Sequence, residues 1–289
     1  MTANSVSMAP TVWEMDFYAC PLRDENDKRV WDLLVCDGAG TFQESRFCSN
    51  QEVNSDWVAT QLEQMLETAP IRPAAIRVFR SRMSSIMQRG CEAAGIPMRP
   101  SRRTYRLQRW IKDRRRTVYP HSETYIYNPK DVLDDPLFLT DPSPLPDKLL
   151  GEKWALVTLQ ARDLREAQSW PSQFNDLFDP GWDDIPDETI IPGLLIGSSR
   201  AVPMSGWMSG IEPSFLRFAQ GPRMGLALEA GQNDSYWVAQ FNDDKTRVEA
   251  EGFEARKKQA QGIHFLAIQK LLGSQEFSGV WLLQEWGYQ

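Results

Sequence analysis

A short stretch of the chain combines cationic and aromatic side chains in a pattern suited to binding a polyanion. Tyr105 and Trp110 lie among the cations Arg99, Arg102, Arg103, Arg106, Arg109, Lys112, Arg114, Arg115 and Arg116. A guanidinium group can bind phosphate through two parallel hydrogen bonds, and an aromatic ring stacks on an unpaired base of any identity. The pattern therefore predicts contact with single-stranded RNA. The alternative is an edge strand whose charges prevent aggregation.

The distribution of charge along the chain also favours a polyanionic partner. The 289 residues carry a net charge of -7, which by itself argues against such a partner. Residues 72–116, however, contain 14 Lys or Arg against only Glu92 and Asp113, whereas the rest of the chain has 18 basic and 37 acidic residues. This asymmetry would attract phosphate at one place and repel it elsewhere.

Cysteine and histidine spacing predicts neither a metal site nor a cofactor. No C-x-x-C pair occurs among Cys20, Cys36, Cys48 and Cys91, and only His121 and His264 could complete a zinc site. Four reduced, mostly buried thiols are expected instead. Glu254 and His264 fall on one predicted helix about 15 Å apart, which is too far for paired acid–base chemistry. The apolar neighbours of His264 predict a hydrogen-bonded core histidine.

The elements that must position the basic stretch follow the order βββαβαβ. Three aromatic and β-branched strands precede an amphipathic helix that begins at Ser55 or Asp56 as its N-cap and ends before Pro70. A strand over 74–80, a helix closed by Gly95 and an extended basic segment complete the predicted domain. This order is similar to the ribonuclease H-like topology.

Nuclease chemistry on that topology requires several carboxylates that converge on two metal ions. Asp16 falls on the first predicted strand, and Glu63 or Glu67 falls on the first helix. The fourth strand reads Ile-Arg-Val-Phe-Arg and offers Arg77 and Arg80 where a metal needs an anion. A catalytically empty version of the fold is therefore predicted.

A second α/β domain is expected after a Pro- and Asp-rich linker, with the boundary between Asp141 and Asp147. The fold class is thus α/β with mixed sheets in two domains, 11–140 and 147–289. In the second domain the sequence predicts a strand at 153–160, a helical 161–170 and a hairpin over 223–243. A long helix over 248–273 and a final strand over 277–286 follow.

The chain contains no apolar stretch long enough to cross a membrane. Its first ten residues lack the features of a secretory signal and the arginines of a transit peptide. A soluble protein that acts in the cytoplasm, without membrane insertion, is expected.

Several phrases from Trp13 to Trp286 carry a family resemblance. They are WEMDFYACPLRDENDKRVWDLLVCD, PLPDKLLGEKWALV, PGLLIGSSRAVPMSGWMSGIEP, GFEARKKQAQGIHFLAIQ and FSGVWLLQEW. With these phrases the chain resembles the Tab-two-like family of cyanobacteria and chloroplasts. The resemblance implies a non-catalytic RNA-binding factor that supports translation or biogenesis of photosystem reaction-centre subunits. It implies contact with single-stranded, A/U-rich messenger leaders, with translation or photosystem assembly proteins as further partners, in a cyanobacterial-type cytoplasm.

The same resemblance associates the C-terminal Trp281, Leu282 and Leu283 with RNA binding. A tryptophan ring can stack on a base, but leucine has neither a π-face nor a polar edge. In a strand, Trp281 and Leu283 share one face and Leu282 takes the other. A buried core strand is therefore the alternative interpretation, and the apolar sequence around it favours that alternative.

Two other function classes stay open beside the RNA-binding factor. One is a metal-dependent nuclease on the ribonuclease H-like scaffold, which requires Asp16 to converge with other carboxylates. The other is a photosystem assembly factor that binds proteins through its acidic surface or the acidic segment 176–188. RNA binding must weaken steeply with salt, whereas such protein binding would depend on it little.

Overall fold

The computed structural model describes residues 11–126, 139–149, 151–221 and 223–286. The chain divides into two compact units, Met1–Leu137 and Phe138–Gln289. Both are built from mixed sheets and helices, which confirms the predicted α/β class. The predicted domain ranges, 11–140 and 147–289, stay predictions. None of the described helices is long and apolar enough to cross a membrane.

The first unit is organised around one five-stranded sheet. Its elements are β1 (Val12–Arg23), β2 (Arg29–Asp37), β3 (Gln43–Cys48), α1 (Ser55–Thr68), β4 (Ala75–Val78), α2 (Ser84–Ala93), β5 (Met98–Pro100) and α3 (Tyr105–Thr117). The strand order is β3-β2-β1-β4-β5, with an antiparallel meander on one side and parallel β4 and β5 on the other. The predicted βββαβαβ order is therefore confirmed. The first helix has Asn54 as its N-cap rather than Ser55 or Asp56.

The prediction of an extended basic segment was wrong for most of its length. Only Met98–Pro100 forms a strand, and Tyr105–Thr117 folds as a helix. Leu107, Ile111 and Arg114 are spaced by three or four residues and are buried on one face of that helix. Arg, Leu, Gln and Lys all favour helix, so local propensity agrees with this periodicity.

Alternation along β1 explains why helices cover both faces of the sheet. Trp13, Met15 and Phe17 are buried in a core that α1 and α2 complete. The intervening side chains face the other way, where Tyr18 packs in a smaller cluster with Leu107 and Ile111 of α3. Helix α3 therefore lies on the sheet face that carries the polar residues of β1.

Glu14 of β1 holds the first turn of α3. Its Oε2 accepts a hydrogen bond from the backbone N–H of Leu107 at 2.7 Å, and Thr104 provides no side-chain cap. The carboxyl group thereby satisfies a helix N–H that has no partner within the helix. Burial raises the pKa of Glu14 to about 7, although the Leu107 N–H and the charges of Arg77 and Arg103 oppose this rise.

Arg114 holds the last turn of α3. Its Nη2 donates to Oδ2 of Asp32 on β2 at 2.8 Å, and its Nε donates to the Tyr119 hydroxyl at 3.3 Å. The Tyr119 hydroxyl donates to the same Asp32 oxygen, and Ser45 of β3 donates to the other. The Tyr18 and Tyr119 hydroxyls share a further hydrogen bond. This network, here called the Asp32 network, leaves no buried charge without an opposite charge in contact.

The second unit contains two sheets. Its elements are β6 (Ser143–Pro144), β7 (Lys153–Gln160), α4 (Ala161–Arg165), β8 (Ser172–Asp176), β9 (Ile190–Gly197), α5 (Ala201–Ile211), β10 (Pro213–Ala219), β11 (Gly225–Ala230), β12 (Asp234–Gln240), α6 (Asp244–Gln259), β13 (Ile263–Gln269) and β14 (Phe277–Gln284). One sheet has the order β7-β9-β13-β14-β8 and the other β10-β11-β12-β6. The predicted hairpin is confirmed as β11 and β12, and the predicted final strand as β14.

The predicted long helix over 248–273 was wrong in its second half. Helix α6 ends at Gln259, and Gln261 and Gly262 then adopt left-handed backbone conformations that turn the chain. Ile263–Gln269 continues as the wholly buried strand β13 between β9 and β14. A strand buried on both faces is nearly continuously apolar, and over a short run this pattern does not distinguish a strand from a helix.

Trp281 of β14 lies fully inside the larger core of the second unit, at 0% exposure. It shares that core with Met204 and Met208 of α5, and Leu283 lies in the same cluster. Gly279 provides the space, because a Cβ at that position would collide with the indole ring. Leu282 is buried in the core on the opposite face of the sheet. The burial of all three residues favours the core interpretation of the Trp-Leu-Leu run.

We expect Trp281→Ala to cost roughly 3–5 kcal/mol of unfolding free energy, because the removed ring leaves a cavity in a packed core. Denaturant titration followed by circular dichroism measures this cost. RNA affinity of the folded fraction should be unchanged, and Trp281→Phe should lose less stability. A normally stable Trp281→Ala protein that no longer binds RNA would make the run a direct contact surface.

Glu14→Gln should alter how the stability of the first unit depends on pH. The raised pKa means that protonated Glu14 favours the folded state, so its contribution is full below about pH 4.5 and is lost as the pH rises through about 7. Relative to the parent, Glu14→Gln should therefore gain roughly 3 kcal/mol of stability between pH 4.5 and pH 8. The amide oxygen can still accept from Leu107.

The control for this titration is Glu25→Gln, which neutralises an exposed carboxyl group in the turn between β1 and β2. Its unfolding free energy should run parallel to that of the parent across the pH range. Equal pH dependence in Glu14→Gln and the parent would show that burial does not perturb Glu14.

Candidate nucleic-acid interface

The residues of the basic segment that were predicted to bind RNA divide into buried, partly exposed and exposed groups. Those on the inner side are Arg102, Arg103, Tyr105 and Arg114, all buried. Partly exposed are Arg106, Arg109, Trp110 and Arg115, and exposed are Arg99, Lys112 and Arg116. The cations of the basic segment therefore do not form one continuous exposed surface. Helix α3 sorts its cations between the protein interior and its surface.

The inward arginines have structural contacts. The Arg103 guanidinium lies over the Tyr105 ring, with its carbon 5.2 Å from the ring centroid. Arg114 belongs to the Asp32 network and also lies over the rings of Phe47, Trp110 and Tyr119. Because these guanidinium groups are packed within the unit, they are poorly placed to reach phosphate. Their burial favours a role in holding α3 in position.

The outer face of α3 carries the cations that solvent can reach. Arg109, Lys112 and Arg116 follow one another at intervals of three and four residues, so they share one side of the helix. Asp113 is the only acidic residue of the helix sequence, and it pairs with Arg116 at 3.2 Å. This surface, here called the outer α3 face, thus carries a net positive charge over about 10 Å of helix.

The position that a ribonuclease H-like nuclease would use for metal contains an ion pair. Asp16 lies on β1, and Arg80 follows the end of the neighbouring strand β4. The Arg80 Nε is 3.0 Å from Oδ1 of Asp16, and its Nη2 is 2.9 Å from Oδ2. This two-point contact places a cation against the carboxylate, as the arginine-rich fourth strand predicted.

The other predicted carboxylates do not join Asp16. Glu63 and Glu67 are exposed on α1, which packs against the opposite face of the sheet. Across the described ranges, no three His, Cys, Asp or Glu side chains are grouped as metal ligands. The convergence that the nuclease hypothesis requires is therefore not found among these residues.

Cysteine and histidine behave as the sequence predicted. All four cysteines are free and buried, and burial raises the pKa of Cys20 and Cys91 to about 12. His264 is buried on β13, where its Nε2 accepts from the Leu216 N–H at 2.7 Å and its Nδ1 lies 2.8 Å from the Gly262 carbonyl oxygen. Burial, together with the charge of Lys257, lowers the pKa of His264 well below its usual range. The side chain is a neutral core histidine.

Sequence reasoning missed a buried cation in the second unit. Lys257 of α6 has a fully buried ammonium group that donates to the Leu216 carbonyl at 2.7 Å. It also pairs with Glu254 at 2.8 Å and Glu285 at 2.5 Å. The sequence of the predicted helix gave no sign of this burial, because two of the partners, Leu216 and Glu285, lie on β10 and after β14. Lys257 ties three separate elements together.

Sequence reasoning also missed Asp32 and Phe47 in the first unit. Asp32 lies in the apolar run VWDLLVCD, and a charged residue inside such a run could have indicated a buried ion pair. Phe47 is 51% exposed on β3, and no sequence pattern distinguishes it from the buried aromatic residues of the neighbouring strands.

Both halves of the chain match the domains of one described protein family. Residues 12–114 match the family described as RNA-binding protein Tab2/Atab2 N terminal. Residues 135–284 match RNA-binding protein Tab2/Atab2, C-terminal domain. The N-terminal match includes all of β1 to β5 and most of α3.

Two curated plant proteins are similar over most of the chain. Protein TAB2 homolog, chloroplastic, of Zea mays is 35% identical over 282 residues, which cover 94% of this chain and 70% of the relative. The protein of the same name from Arabidopsis thaliana is 34% identical over 283 residues, covering 94% and 74%.

Among solved structures, a chain of the simian T-cell lymphotropic virus intasome in complex with PP2A regulatory subunit B56 gamma is 9% identical. The match covers 80% of this chain and 81% of that chain, with a TM-score of 0.23, and supports no argument about fold or function. The two family matches and the plant relatives agree with each other. The chain belongs to the RNA-binding Tab2/Atab2 family.

Proposed function

We propose that this protein binds single-stranded RNA through the outer α3 face and supports translation or biogenesis of photosystem reaction-centre subunits. The observation that carries the proposal is the solvent-facing row of Arg109, Lys112 and Arg116 on a helix whose inner side is fixed to the sheet. Membership in an RNA-binding family supports RNA as the polyanion.

A fixed cationic helix is suited to binding the RNA backbone. Glu14 and the Asp32 network hold the first and last turns of α3, so the backbone positions of its outer cations are fixed before RNA binds. Preorganised groups lose less conformational entropy on binding, and each phosphate contact releases counterions. The partly exposed Arg106 and Arg115 and the exposed Arg99 extend the same positive field.

The RNA that this proposal names is the A/U-rich leader of photosystem messenger RNAs. The two plant relatives are called chloroplastic, which is consistent with a role in a photosynthetic cell. Translation or photosystem assembly proteins are further proposed partners, and a cytoplasmic location stays a prediction. Crosslinking in cells followed by sequencing of the bound RNA tests the target directly.

We further propose that the protein has no nuclease activity. The Arg80 guanidinium contacts both oxygens of the Asp16 carboxylate, and a metal ion would have to displace it. Arg80 also lies over the Tyr18 ring, 5.4 Å from its centroid, which adds to the cost of displacement.

Replacing Arg109, Lys112 and Arg116 together with Gln should weaken binding to oligouridine and flatten its salt dependence. Three lost phosphate contacts on a single strand correspond to a decrease of about 2 in the slope of log affinity against log salt. Fluorescence anisotropy over a series of salt concentrations measures both changes.

The matched control replaces Lys245, Arg256 and Lys258 of α6 with Gln. These exposed cations change the net charge equally but lie on the second unit. The control should keep the parent slope. Equal slopes in the α3 variant and the parent, with both folded, would contradict the assignment. Absence of oligouridine binding, together with binding to photosystem polypeptides that barely depends on salt, would instead favour the protein-binding assembly factor.

Incubation with Mg²⁺ or Mn²⁺ should give no cleavage of RNA, DNA or an RNA–DNA hybrid, because Arg80 neutralises Asp16. Gel electrophoresis of end-labelled substrates provides the measurement. Metal-dependent cleavage that disappears in Asp16→Ala would establish the nuclease alternative.

A further inference from the structure

Phe47 is an exposed aromatic residue on the same face of the sheet as α3. It pairs across the strands with Asp32, and directly paired residues project their side chains to the same face. Asp32 faces α3, because it contacts Arg114 of that helix. Helix α3 covers β1 and β2, whereas Phe47 on the edge strand β3 keeps 51% of its surface exposed.

The side of α3 next to β3 carries a cation, an aromatic ring and a second cation. Arg106, Trp110 and Arg114 are spaced by four residues and so form one stripe along the helix. The Arg106 guanidinium lies against Gly40 in the turn between β2 and β3. At the other end, Arg114 lies 5.6 Å from the Trp110 centroid and 5.7 Å from the Phe47 centroid.

Phe47 and the stripe therefore border a step in the surface between the helix and the edge strand. On the β3 side of this step lies the accessible ring of Phe47. On the α3 side lie the partly exposed Arg106 and Trp110. A ligand suited to this step must combine negative charge with a flat aromatic face. An RNA nucleotide has both, through its phosphate and its base.

Among the large apolar side chains that are exposed in the described residues, Phe47 is the aromatic one, and it lies on an edge strand. Single exposed apolar residues are common, but an exposed edge strand is also a liability for aggregation. Here Arg114 is already held by Asp32 and Tyr119, so it fixes the position of the step rather than competing for the ligand.

We propose that Phe47 is a base-stacking position, at which an unpaired base of the bound RNA lies on the exposed part of the phenyl ring while its backbone passes along the partly exposed Arg106 and Trp110. This inference rests on the proposed function and extends the RNA path from the outer α3 face to the edge strand β3.

The test compares Phe47→Leu, Phe47→Tyr and the parent in binding to labelled oligouridine at fixed salt. Leucine keeps the apolar bulk but has no π-face, so its affinity should fall roughly 5- to 150-fold, the range expected for one lost base stack. Tyrosine should retain affinity within about threefold, since it keeps the ring. The salt slope should stay at the parent value in both variants, because no charge is removed.

The matched control is Ile71→Ala, an exposed apolar residue of the same unit between α1 and β4, which should bind as the parent does. Melting curves show whether each variant is folded. A second measurement requires no variant: photocrosslinking of the parent to 4-thiouridine RNA, with the adduct mapped by mass spectrometry, should label the peptide containing Phe47.

Equal affinity of folded Phe47→Leu and the parent, or crosslinks confined to other peptides, would overturn the stacking position. In that case RNA binding with a steep salt slope would leave the proposed function intact. Failure of the parent to bind RNA at low salt would overturn the proposed function itself. The two failures are therefore distinguishable.

Discussion

The buried ion pair between Arg114 and Asp32 is the interaction on which the arrangement of the first unit depends. It joins the last turn of α3 to the second strand of the sheet at 2.8 Å, and the hydroxyls of Ser45 and Tyr119 complete the coordination of the carboxylate. Loss of one partner would leave a buried charge without compensation, at a cost of roughly 3–5 kcal/mol. Such a pair contributes little net stability, but it specifies one position for the helix.

That position determines which cations can meet a partner. With Arg114 turned inward and Glu14 bonded to the first turn, the helix rotation is set, and Arg109, Lys112 and Arg116 must face solvent. The same rotation places Arg106 against the turn between β2 and β3 and packs Trp110 on the cluster beneath α3. The Asp32 network and the Glu14 contact thus together organise the proposed backbone contacts and the proposed stacking position.

Each unit contains a cation that is paired with carboxylate groups among apolar side chains. In the first unit, Asp16 is on the strand that a ribonuclease H-like nuclease would use, but Arg80 occupies both of its oxygens. In the second, Lys257 is enclosed with Glu254 and Glu285 and holds α6 to β10. The Arg80–Asp16 and Lys257–Glu285 pairs join distant parts of the chain, so they restrict the fold to one arrangement. Chemistry at any of these three carboxylates would require its cation to leave.

The α/β class, the order of the first seven elements, the family and the concentration of positive charge in residues 72–116 can all be predicted from the amino-acid sequence. These follow from local composition, periodicity and extended phrases. The helix over residues 105–117 also has a local basis, in its periodicity and its helix propensity. Tertiary contacts, by contrast, place Arg102, Arg103 and Arg114 inward, make Ile263–Gln269 a strand and leave Phe47 exposed. The reason is physical: burial of a charge or a ring depends on partners such as Asp32, which lies 82 residues from Arg114 along the chain, and local sequence carries no record of that pairing.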